Sequence, residues 1–150
     1  MPRFIRVLVV VLLVLGPAGA FAGPAEDASG VIDRWAATYN ANDVDAIVKL
    51  YAPDALLHGT SSPTLNQGSA AIRSYFAGLA GSGNKVTIGE RHMVAIGDAA
   101  AFGVGFYEFV SIQDGKPVPR PSRFTMIVVK RGADWLIVHH HSSPVPPPRR

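Results

Sequence analysis

An α+β fold is predicted by a change of pattern along the 150-residue chain. Between residues 31 and 79 apolar side chains recur at helical spacing in three segments. From Val86 to Ser142 they alternate with a period of two, in four segments. Gly97-Asp98, Asp114-Gly115 and Gly132-Ala133-Asp134 divide the alternating half at short intervals, so its strands are expected to be antiparallel.

The chain opens on a leader. Arg3 and Arg6 precede an unbroken apolar run at residues 7–15, which Gly16 and Pro17 end. Ala20-Phe21-Ala22 then places small residues at −3 and −1 of a cut after Ala22. That order is a secretory signal. A nine-residue apolar run spans roughly 14 Å as helix, about half a hydrocarbon core, so the alternative of a membrane anchor is the weaker one. The expectation is an exported product, periplasmic or secreted, with no membrane attachment after cleavage. The sequence has no cysteine, so neither a lipidated N-terminal cysteine nor disulfides are available, and the core alone must hold the domain. Of 14 basic and 11 acidic residues, Arg3 and Arg6 fall in the leader. The mature chain is nearly neutral and has no basic stripe, so no nucleic-acid partner is expected.

Residues 23–28 read as a linker. Val31, Ile32, Trp35, Ala36 and Tyr39 form one face of a first helix, opposite Asp33, Arg34 and Asn40. Asn42 or Asp43 can cap a second helix, whose stripe is Val44, Ile47, Val48 and Tyr51 and which Pro53 stops. Residues 55–58 suit a short strand and residues 59–68 a loop. Ser69 can cap a third helix carrying Ile72, Tyr75, Phe76 and Leu79, ended at Gly81-Ser82-Gly83. Four strands come next. Val86, Ile88, His92, Val94 and Ile96 share one parity in the first, and Phe102, Val104, Phe106, Val110 and Ile112 in the second. Residues 123–130 and 135–142 form the last pair. The domain is expected to span residues 23–144, with a proline-rich basic tail at 145–150 that is disordered or loosely packed. Phe124, Met126 and Val128 face one way and Ile127 and Val129 the other. Three helices cover one face of a curved sheet, so a second subunit is expected on the other, in a homodimer or larger homo-oligomer.

Several local motifs carry a resemblance: Trp35 and Tyr39, Leu50-Tyr51-Ala52-Pro53-Asp54-Ala55, Gly68 with Ile72-Arg73-Ser74-Tyr75-Phe76, Arg123-Phe124-Thr125, and Trp135 through Ser143. In this order they resemble the nuclear transport factor 2-like superfamily. Within it the chain is most similar to SnoaL-like and SgcJ/EcaC-type bacterial proteins and to the association domain of calcium/calmodulin-dependent protein kinase II. The resemblance implies a cone-shaped barrel: a bent antiparallel sheet wrapped around the three N-terminal helices, with a pocket at the wide end and dimers or rings formed through the outer face. It does not fix an activity, because the scaffold hosts isomerases, hydratases, cyclases and non-catalytic hubs. The arginines that the kinase domain uses in its pocket correspond to Met126 and Ser142, which argues against an acid clamp of that kind. Gly103-Val104-Gly105 lacks a third glycine and lies in a strand, so no dinucleotide turn is present and no cofactor is expected.

The histidines are the sharpest chemical candidates. His139, His140 and His141 are consecutive in the last strand, so His139 and His141 share one face and His140 takes the other. This run alone cannot supply three ligands to a metal. His58 or His92 completes a site only if folding brings it near, and no metal is expected. His140 shares a parity with Val138 and Ser142, the face that the resemblance places in the pocket. There it is the best candidate for a general acid or base; the competing reading is a buried histidine held by hydrogen bonds and packing. Arg123 can bind a ligand carboxylate or phosphate, or form an ion pair at a sheet edge. A two-residue loop at Gly132-Ala133 puts it with His140, and a three-residue loop with His141. Trp35, Tyr39, His58, Tyr107, Arg123, His140 and Ser142 are the expected ligand-binding residues. Tyr51 and Tyr75 can also line the pocket, and Glu108 is expected to be exposed or paired at an interface. No convergent acid–base pair is evident. The favoured reading is therefore an exported, oligomeric small-molecule-binding domain with a hydrophobic pocket. The alternative is a cofactor-independent isomerase, hydratase or hydrolase acting on a small organic substrate.

Overall fold

The computed structural model describes residues 23–148. The expected leader, and with it the expected cleavage site, lies outside the described residues, as do Arg149 and Arg150. The first helix, α1 (Pro24–Asn40), absorbs the expected linker. Pro24 occupies its first turn, where a missing N–H costs nothing, and the Glu26 carboxylate accepts from the Gly23 N–H at 3.2 Å. The Asp43 side chain accepts from Ala46 N at 2.9 Å and starts α2 (Val44–Lys49). That helix ends before Tyr51, not at Pro53. β1 (Tyr51–His58) takes over, and Pro53 sits where the register against β6 is broken, between Tyr51 and Leu56, so its absent N–H loses no ladder bond. β2 (Asn66–Gln67) adds a short antiparallel strand inside the expected loop, and α3 (Gly68–Phe76) starts directly after it, with Gln67 rather than Ser69 at its N-cap.

The rest of the chain is β3 (Lys85–Ala95), β4 (Ala100–Gln113), β5 (Lys116–Arg131) and β6 (Asp134–Pro144). Asp114 and Gly115 both have positive φ, 49° and 73°, and close the β4–β5 hairpin. The six strands form one curved, unclosed sheet in the order β2-β1-β6-β5-β4-β3, antiparallel except for the parallel pair β1–β6. α1 packs across β3, β4, β5 and β6, and α3 packs on β1. The core between helices and sheet includes Ile32, Trp35, Ile47, Leu57, Ile72, Met126 and Ile137, all nearly inaccessible to solvent.

Two bulges alter the expected facing. In β3 the register slips between Ile88 and Arg91, so Met93 turns toward the core while Val94 and Ile96 are exposed. Gly105 lies opposite this bulge. A Cβ there would stand 2.6 Å from the Glu90 carbonyl oxygen, so the position accepts no side chain without backbone movement. In β6 the slip falls at Val138: Val128 pairs with Ile137, but Ile127 pairs with His139. Ile137, His140 and Ser142 are therefore all buried on the inner face, and Val138 does not share the parity of His140. The tail at 145–148 has no helix or strand; Val145 N donates to Pro121 O at 3.0 Å. No helix among the described residues is long and apolar enough to cross a membrane.

Candidate functional site

The inner face of the sheet opens into a cavity of about 250 Å³ between α1, α3 and the long strands. Its walls are largely aromatic: Trp35 and Tyr39 from α1, Tyr75 and Phe76 from α3, Tyr107 and Phe109 from β4. These rings hold one another in place. Trp35 stacks on Tyr107 at 5.9 Å between centroids, Tyr107 stacks on Phe124 at 5.0 Å, and Tyr39 leans on Phe109 at 5.3 Å. Helical spacing explains Trp35 with Tyr39, and strand spacing explains Tyr107 with Phe109. Gly59 makes room for the Tyr75 ring, since a Cβ there would stand 2.2 Å from its carbons.

At the floor lies a buried polar chain. Trp35 Nε1–H donates to Tyr51 Oη at 2.9 Å, and Tyr51 Oη stands 2.8 Å from His140 Nδ1. An indole nitrogen only donates, so the arrangement that leaves no donor orphaned has Tyr51 giving its own proton to Nδ1. Neutral His140 then carries its proton on Nε2, which faces Tyr107 Oη across a long 3.4 Å contact. Ser142 and Thr60, hydrogen-bonded to each other, lie beside Tyr107 and finish the chain at the cavity. Burial first, then the neighbouring His139 and His141, push the His140 pKa down to about 3, so this imidazole is neutral at physiological pH. Burial pushes the Tyr51 and Tyr107 phenols well above their ordinary range, so both stay protonated donors.

Of the residues expected to bind ligand, Trp35, Tyr39, Tyr107, His140 and Ser142 meet at this cavity. His58 and Arg123 do not. His58 is exposed, with its ring centroid 6.4 Å from that of His139 and 5.9 Å from that of His141. Arg123 lies on the outer face, where its Nε donates to Ser143 Oγ at 3.2 Å. The reason is the Val138 bulge. The hairpin loop has two residues, Gly132 and Ala133, which alone would put Arg123 with His140; the extra residue in β6 moves it to the face of His141. Glu108 is exposed on that outer face.

Folding thus gathers His58, His139 and His141. Burial, then His58 and His141, lower the pKa of His139. Among the described residues no three His, Cys, Asp or Glu side chains stand in a metal-holding arrangement. His92, on the same face, contacts Glu90 at 3.1 Å. Together with Arg123, Phe106 and His141 these two line a second, shallow depression of about 410 Å³.

Several contributors to the inner cavity were not among the expected site residues, the polar ones being Thr60, Ser61, Asn84, Ser111 and Arg120. Arg120 lies in a segment where Pro117, Pro119 and Pro121 hide the strand. Its parity with the buried Ser122, Phe124 and Met126 is the signal that could have found it.

The SnoaL-like domain profile matches residues 29–148. A crystal structure from Xanthomonas campestris, described as a candidate calcium/calmodulin dependent protein kinase II association domain, is 30% identical. It superposes with a TM-score of 0.76, over 84% of this chain and 94% of that one. The CaMKII hub of S. rosetta is 23% identical with a TM-score of 0.72, over 84% and 100% of the two chains. A candidate dehydratase of the NTF2-like family from Streptomyces avermitilis is 16% identical with a TM-score of 0.71, over 80% and 95%. These last two likenesses establish the fold alone.

Proposed function

The chain belongs to the SnoaL-like domain family, and from that premise we propose that it is a small-molecule-binding protein whose ligand occupies the inner aromatic cavity. The observation that carries this reading is the direction of the buried chain Trp35–Tyr51–His140–Tyr107. Each member satisfies the next, and the series ends in hydroxyls at the cavity. It supplies rigid walls and fixed polar groups, which is what orients a bound molecule. It leaves His140 little to offer as a base: the Nδ1 lone pair is taken by Tyr51, and the ring resists protonation.

The catalytic alternative needs a group that moves a proton. Among the described residues lining the cavity none is Asp or Glu, and Glu108 is exposed on the opposite face. Binding without turnover therefore fits better than isomerisation or dehydration. Export through the N-terminal leader is part of the proposal, resting on the basic, apolar and small-residue order of residues 1–22. So is a homo-oligomer joined through the outer sheet face, where Val94, Val104, Phe106 and Ile112 are exposed.

The test is to purify the exported protein natively, extract it, and identify co-purifying small molecules by mass spectrometry. A species near one per chain is expected, lost from Gly59→Phe, whose side chain must displace the Tyr75 ring from the cavity wall. No bound species, or one unaffected by Gly59→Phe, would count against the proposal.

A further inference from the structure

Among the described residues that line the inner cavity, Arg120 is the one charged side chain. It belongs to the inner face of β5, opposite Phe109 and two residues before buried Ser122, and it is exposed at the cavity mouth. The other environments available to arginine here are different. Arg73, Arg91 and Arg131 each pair with an aspartate, Arg123 bonds Ser143 on the outer face, and Arg34 is exposed on α1 and does not line the cavity. Arg120 has no carboxylate partner among the described residues. Its charge also reaches the cavity wall: burial and then Tyr75 raise the Tyr39 phenol, and Arg120 opposes them.

We propose, building on the binding reading above, that the ligand is a small aromatic carboxylate, with its ring in the cavity against Tyr39 and Phe109 and its carboxylate on the Arg120 guanidinium. A planar fork of donors above an apolar, ring-lined cavity matches a flat acid. The charge stays at the mouth, near water, so the ion pair carries a small desolvation cost, while the ring supplies the apolar burial. At about 250 Å³ the space is just below the roughly 300–1,000 Å³ of drug-sized sites, so the acid is small, of one or two rings. This clamp differs in position from Met126 and Ser142, both of which are buried on the inner face.

Isothermal titration calorimetry with 2-naphthoate and 2-naphthamide tests this, because the two share a ring system and differ in charge. The acid is expected to bind about tenfold more tightly, a free-energy difference of about 1.4 kcal/mol. Arg120→Met, which keeps an apolar stem, should bring the acid to the level of the amide, while Arg120→Lys should keep part of the preference. Added salt should weaken the acid and leave the amide unchanged. Equal binding of acid and amide, or an Arg120→Met variant that holds the acid as tightly as the parent, overturns the carboxylate inference and leaves the cavity reading standing. Binding of neither probe at millimolar concentration also overturns it; the co-purification experiment then decides the cavity reading separately.

Discussion

Replacing Tyr51 by Phe removes one oxygen and adds no bulk, yet it is expected to be among the costliest conservative changes in the protein. The lost hydroxyl serves two buried groups, accepting from Trp35 Nε1 at 2.9 Å and donating to His140 Nδ1 at 2.8 Å. Trp35 and His140 are each 1% exposed, so water cannot replace it. Each orphaned group costs about 1–3 kcal/mol, and the relief of burying Phe instead of Tyr returns part of this. The expected net loss is about 2–4 kcal/mol, a large fraction of a typical stability of about 5–15 kcal/mol. Urea unfolding of the domain, followed by far-ultraviolet circular dichroism, measures it as a fall in midpoint at unchanged slope. Tyr75→Phe, outside the chain of bonds, is the control and should change stability by under about 0.5 kcal/mol. A Tyr51→Phe protein within about 0.5 kcal/mol of the parent would refute the reasoning, since it would mean that neither partner depends on the hydroxyl.

Three other expectations rest on the same packing. Burial holds the His140 pKa at about 3, against an unfolded value near 6.5, so its favourable effect is whole above about pH 6.5 and is lost as pH falls toward 3; at pH 4.5 the loss is about 2–3 kcal/mol. The check is the His140 ring resonance, which should not titrate between pH 7.5 and 4.5 while the chain stays folded; a midpoint near 6.5 would contradict it. Gly105→Ala should destabilise by about 1–3 kcal/mol because its Cβ meets the Glu90–Arg91 backbone, whereas Gly103→Ala should cost less because it meets the end of the Met93 thioether; denaturant midpoints of the two variants rank them, and the reverse order would refute the argument. Phe106→Asp, at a side chain 50% exposed on the outer face, should convert the proposed oligomer to monomer by light scattering without loss of the fold, and an unchanged mass would place the contact elsewhere.

Helices and hairpins are legible in the sequence because their signals are local. Asp43 caps α2, and Asp114-Gly115 turns β4 into β5, as their chemistry requires. The boundary between α2 and β1 is not legible, because Tyr51 fits a helical stripe as well as it fits the start of a strand; the parallel contact with β6, anchored by Ile137 N to Leu50 O at 2.8 Å, decides it from far along the chain. Strand alternation gives the inward facing of His140 and Ser142 but wrongly places Val138 with them. The bulge there is a tertiary feature with no glycine or proline to announce it, and it alone moves Arg123 out of the site. Arg120 stays hidden for a different reason: the strand expected from residue 123 begins at Lys116, and three prolines in five residues mask the alternation that carries the side chain to the cavity mouth.

The central claim, that the inner cavity is the ligand site, is tested most directly by two-dimensional nuclear magnetic resonance of the labelled domain during titration with small aromatic compounds. Saturable shifts are predicted at the Trp35 indole N–H and at the amides of Thr60, Phe109 and Ser142, which line or floor the cavity. Hits whose shifts fall instead on His92, Arg123 and His141, around the outer depression, or a library that moves no inner-face resonance, would contradict the account.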